Sequence, residues 1–135
     1  MSSLRAAIDG SLNYRGREGQ WSFLLHRLTG LGTLLFLTVH ILDTSTVYFA
    51  PQLYEHAIAV YRSTPFMIGE IGLVFAVLFH GVNGMRIALF DLFPHLWRGQ
   101  TQQRSFYLTV VVSLLLWLPA AFLMGRSLLE HNFGL

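Results

Sequence analysis

The chain has 135 residues, of which 53% are hydrophobic and only 12% charged, with a mean hydropathy of +0.51 and a formal net charge of +2. A soluble domain of this length carries about twice that charged share, so the composition points to a membrane protein. Cysteine is absent, which excludes disulfides, thiolate metal sites, iron–sulfur ligation and covalent c-type haem attachment, and leaves histidine, methionine or carboxylate to hold any metal.

Residues 1–21 read as a cytoplasmic arm near the membrane surface. They lack the apolar core of a signal peptide, and Asp9 and Glu18 argue against an organelle transit peptide. Three apolar stretches follow, at residues 22–49, 66–93 and 105–129. Each is long enough for the about 20 helical residues that cross a ~30 Å hydrocarbon layer. Backbone groups in lipid are satisfied only within helices or closed barrels, and stretches this long are helical. The expected fold is an all-α membrane protein with three transmembrane helices over residues 22–129 and a tail at 130–135. Pro51 and Pro65 bracket the first loop, Pro94 closes the second span, and Pro119 is expected to kink the third.

All nine basic residues are arginine. Arg5, Arg15, Arg17 and Arg27 precede or open the first span, and Arg86, Arg98 and Arg104 flank the second loop. Only Arg62 and Arg126 lie on the other side. By the positive-inside rule the N-terminus and second loop are cytoplasmic and the C-terminus is on the outer side. Trp21, Trp97, Tyr14 and Tyr107 suit the inner aromatic belt, and Tyr48, Tyr54 and Tyr61 the outer one. Arginines gathered at span ends form no stripe, so the pI near 9.4 does not indicate nucleic acid.

This orientation assigns depths. His26 and Arg27 lie near the cytoplasmic face, and His40, 14 residues on, lies about 21 Å further toward the outer side. His80 is six residues, or about 9 Å, above Arg86 in the descending second span. His80 and His40 therefore do not share one iron, and the geometry admits two separate sites. An ionisable residue inside a span is expensive and marks a functional site. His80 reads either as a hydrogen bond to a neighbouring helix or as a ligand, with Gly81 and Gly84 thinning its helix for a close approach. His40 has Asp43 one turn away on the same face, and it too reads as a packing bond or a ligand. Asp43 and Glu70 lie near the outer side. His56, His95 and His131 lie outside the spans and read as solvated.

The segment HGVNGMRIALFD resembles the H-x-x-x-G-x-R-x-x-x-x-D element of the cytochrome b large anchor subunit of succinate dehydrogenase (succinate:quinone oxidoreductase). LLHRLTG resembles that family's H-R-x-[ST]-G element, and Tyr14 to Gln20 with HILDTSTV are similar to its bacterial branch. The resemblance covers the three-span order and most of the chain. It implies that His80 is an axial ligand of a b-type haem, that His26 and Arg86 contact haem propionates, and that Arg27 lines the quinone pocket. A charged donor there polarises a quinone carbonyl, whether ubiquinone or menaquinone. The family's quinone-binding serine falls at Phe23 in this chain, and Ser22, one residue earlier on the same helix face, is its substitute. Ile87 stands where many relatives carry a second propionate histidine. Anchors with two haems resemble this chain in having a histidine late in span one, which would make His40 the ligand of a second haem.

The resemblance implies partners as well: a flavoprotein subunit that oxidises succinate, an iron–sulfur subunit, and a second small membrane anchor that supplies the other haem ligand, all within membrane lipid and in a complex expected to be trimeric. The chain alone binds no dicarboxylate. A quinol:fumarate reductase anchor, a haem-free helical anchor or assembly subunit, and an ion channel using His40, Asp43 and Glu70 are the competing readings. The last is disfavoured because span three shows no continuous polar stripe.

Overall fold

The computed structural model describes residues 17–96 and 98–134. Arg5, Tyr14, Arg15 and Trp97, with most of the N-terminal arm, lie outside the described residues. Helix α1 runs Arg17–Phe49, α2 Pro51–Tyr61, α3 Thr64–Leu92 and α4 Gly99–Phe133, with a 3-10 turn at Pro94–Leu96. Helices α1, α3 and α4 are long and apolar enough to cross a membrane.

The apolar stretches mark the lipid-buried part of each helix rather than its ends. Polar helix formers extend α1 back to Arg17 and α4 back to Gly99 and on to Phe133. The first loop is corrected more substantially, because residues between Pro51 and Tyr61 are helical. A proline at the first helical position loses no hydrogen bond and arrives with a helical φ, so Pro51 starts α2 instead of bounding a loop. Pro94 acts as expected: Phe93 before it is pushed to φ −126°, ψ 72° and α3 ends. Helix α4 continues through Pro119, so the ring costs the hydrogen bond to the Leu115 carbonyl without ending the helix.

The topology is up–down–up. Ser22 near the start of α1 bonds Asn83 near the end of α3, and Thr64 at the start of α3 bonds Asn132 at the end of α4. Helix α3 packs on both α1 and α4, which meet each other less. The interior is more polar than the exterior. Ser22, Thr29, Asn83, Thr109 and Ser113 are buried with Phe79, Phe90 and Phe106, while leucines such as Leu31, Leu35, Leu108 and Leu115 face outward. Lipid offers no hydrophobic drive for helix association, so small and polar side chains form the seams. Trp117 Nε1 donates to the Ile71 carbonyl at 2.9 Å, fixing α4 on α3. Along α1, hydroxyls of Thr29, Thr33, Thr38 and Thr44 donate back to carbonyls of the preceding turn, so they need no partner in lipid.

Candidate functional site

Two layers of polar residues stand one above the other where α1 crosses α3. The upper layer is His26 and His80. Their rings stack with centroids 4.1 Å apart and planes 7° from parallel. His80 Nδ1 lies 3.1 Å from the His26 backbone carbonyl. A carbonyl only accepts, so in this contact Nδ1 donates, and Nε2 is the ring nitrogen left to ligate. That arrangement, with one ring nitrogen tethered and the other free to ligate, is how proteins orient a metal-binding imidazole.

Room for the ring comes from Gly30. A Cβ on Gly30 would lie 2.7 Å from His80 Cε1 and 3.0 Å from Nδ1, so the imidazole occupies space that any other residue fills. Gly84 gives His26 similar but looser access, since a Cβ there would meet His26 Cε1 at 3.6 Å.

The lower layer is Arg86 with Ser22, Asn83, Ser105 and Gln102. Arg86 Nε donates to Ser105 Oγ at 2.8 Å, Nη1 to Ser22 Oγ at 2.8 Å and to Asn83 Oδ1 at 3.1 Å, and Nη2 to the Gln102 carbonyl at 3.2 Å. Ser22 in turn donates to Asn83 Oδ1 at 3.1 Å. The guanidinium also lies over the Phe90 and Phe106 rings, 5.5 and 6.0 Å from their centroids. One cation thus joins three helices. Arginine has no acceptor, so Asn83 must turn its oxygen toward it, which leaves Asn83 Nδ2 buried without a partner among the described residues.

Apart from His40, the expected site residues fall in three places. His26 and His80 meet at one level. Arg86 and Ser22 meet below them, but their hydrogen bonds run to each other and to the seam. Arg27 is exposed on α1 with its guanidinium 5.3 Å from the Phe23 ring centroid. Asn83 and Gly30 were not singled out for a role, although an amide three residues from both His80 and Arg86 on a lipid-spanning helix needs a partner across the seam.

His40 lies apart from all of these. It borders a cavity of about 750 Å³ between α1, α2 and α3, stacked on Phe36 at 5.4 Å and accompanied by Asp43, Glu70, Tyr54 and Tyr61. The lining contains two carboxylates and no arginine. A haem brings two propionates, and carboxylates repel them, so this cavity does not fit that group. His40→Ala is accordingly expected to leave haem per complex unchanged in a pyridine haemochrome assay.

In the His26–His80 layer, His80 Nε2 is the one ring nitrogen left in place to hold a haem iron. Iron binds imidazole in the plane of the ring, so two parallel stacked rings point their lone pairs side by side and do not clasp one metal between them. No group of three or more metal-ligating side chains occurs among the described residues.

A family model for succinate dehydrogenase/fumarate reductase transmembrane subunits matches residues 5–120. The chain is 39% identical over 119 residues to the succinate dehydrogenase 2 membrane subunit SdhC of Mycobacterium tuberculosis, spanning 87% of this chain and 85% of that one. It is 30% identical over 96 residues to the succinate dehydrogenase hydrophobic membrane anchor subunit of Halobacterium salinarum, spanning 70% and 72%.

Proposed function

This chain belongs to the succinate dehydrogenase/fumarate reductase transmembrane subunit family, as a multi-pass membrane anchor, and from that premise we propose that it holds a haem b through His80 and forms one wall of a quinone-reduction site at Arg27. The observation that carries the haem assignment is the tethered imidazole: Nδ1 bound to the His26 carbonyl, the ring seated on Gly30, and Nε2 left as the ligand atom. Bound there, the haem supplies a one-electron carrier at that depth. A second ligand for it would come from another membrane subunit, because the stacked, nearly parallel His26 and His80 rings would not both reach one iron.

In this reading the N-terminus and the loop between α3 and α4 face the cytoplasm and dock the iron–sulfur and flavin subunits. Succinate gives up two electrons and two protons at the flavin subunit, and a quinone takes up two of each near the inner end of α1. The exposed Arg27 guanidinium donates to a quinone carbonyl and stabilises the negative charge that builds on that oxygen as electrons arrive. Arg86 and Ser22 tie α1, α3 and α4 together directly below the histidine layer and so hold its register, which is the role their contacts support.

Arg27→Ala tests the quinone half of the proposal. Loss of one preorganised donor costs about 10²-fold in turnover, so quinone reduction should fall by roughly that factor while succinate oxidation by an artificial dye stays intact. Equal loss of both activities would instead mean that Arg27 serves assembly.

A further inference from the structure

Arg86 is half-buried in a membrane-spanning helix, and its partners among the described residues are neutral: two hydroxyls, one amide oxygen, one carbonyl and two aromatic faces. Among the described residues no carboxylate comes within ion-pair distance of it, and the ion pair found there is Arg126–Glu130 at the far end of α4. Asp91 is the next acid along α3, but five residues at 100° each place it about 140° round the helix. A cation in low dielectric without a counter-charge is costly, so the guanidinium favours an anion brought from outside the chain.

The space beside it indicates what kind. A groove of about 300 Å³ opens between α3 and α4, with Met85, Leu89 and Leu108 among its apolar walls and Arg86, Thr101, Ser105 and Thr109 as its polar lining. Arg98, just before α4, and Arg104, near its start, are both exposed. Arg104 lies three residues from Thr101 and four from Leu108, on the same flank of α4. The groove is thus apolar along most of its length, with one cation, Arg86, in its lining and two exposed arginines near the same end of α4. A free phosphate has no use for the apolar walls, and an uncharged lipid has none for three arginines.

We propose that this groove seats an anionic phospholipid, its phosphate at Arg86, Arg98 and Arg104 and an acyl chain between Leu89 and Leu108. Basic pockets between transmembrane helices recognise anionic head groups in this way.

The test uses the purified complex in nanodiscs of phosphatidylcholine, alone or doped with phosphatidylglycerol, read by thermal unfolding and by native mass spectrometry. Phosphatidylglycerol should raise the unfolding temperature and remain bound. The exposed pair Arg98→Gln with Arg104→Gln should weaken its retention roughly 30-fold, from about 1 kcal/mol per arginine near the surface. Leu108→Trp, which fills the groove without touching the charges, should abolish it. Equal stabilisation by both lipids, retention that survives both variants, or a partner subunit's helix cross-linking into the groove would overturn the proposal. So would Arg86→Gln shifting the haem optical band while lipid retention persists, since its anion would then be a haem propionate.

Discussion

His80→Ala is expected to remove the b-type haem band from the assembled complex, with haem per flavin falling to background in a pyridine haemochrome assay. The argument is one of geometry. His80 is the histidine whose Nδ1 is tethered to a backbone carbonyl, and its Nε2 is the nitrogen left to ligate. His26 does not take over, because its ring lies parallel to the lost one and its Nδ1 is buried without a partner among the described residues. Succinate–dye activity should persist, since dicarboxylate chemistry lies in another subunit. The vacated space is imidazole-shaped and keeps the His26 carbonyl as an acceptor. Added imidazole should therefore restore part of the band, which a merely misfolded complex would not allow. An unchanged spectrum would remove His80 from the site altogether.

How far the sequence anticipated this depends on the kind of signal. Hydropathy located all three spans, because lipid imposes one length and one composition on anything that crosses it. It missed α2, since proline is used both to stop a helix and to start one, and only the residues around Pro51 decide which. His80 and His26 were legible as a pair of motifs, but not as stacked rings. Arg86 was legible as an intramembrane charge, and its partners were not. Ser22, Asn83, Ser105 and Gln102 come from three helices, and no single-chain pattern states which seams will close on one another. Span three carries only a partial stripe: Ser105, Thr109 and Ser113 recur at helical spacing on one face of α4, Thr109 and Ser113 buried, and past Ser113 the helix continues with leucines and Trp117.

Gly30→Ala should separate the position of the His80 imidazole from its presence. The new methyl would stand 2.7 Å from His80 Cε1, closer than real Cβ contacts come, and the ring is the part free to yield. Moving it breaks the 3.1 Å bond from Nδ1 to the His26 carbonyl and turns Nε2 away from its ligating direction. The helix itself should gain, because alanine is favoured over glycine inside a helix by about 0.8–1.0 kcal/mol. The expected result is therefore a complex at least as stable and as well assembled, with haem lost or its optical band displaced. Two other glycines calibrate the effect. Gly84→Ala meets His26 Cε1 at an ordinary 3.6 Å and should alter the band little, and Gly32→Ala meets nothing within 4 Å and should not alter it. A graded response in the order Gly30, Gly84, Gly32 would place the haem on the α1–α3 seam, because the three substitutions share their chemistry and differ only in what the methyl touches. Haem retained with an unmoved band in Gly30→Ala would mean that the iron is not held by the ring seated there.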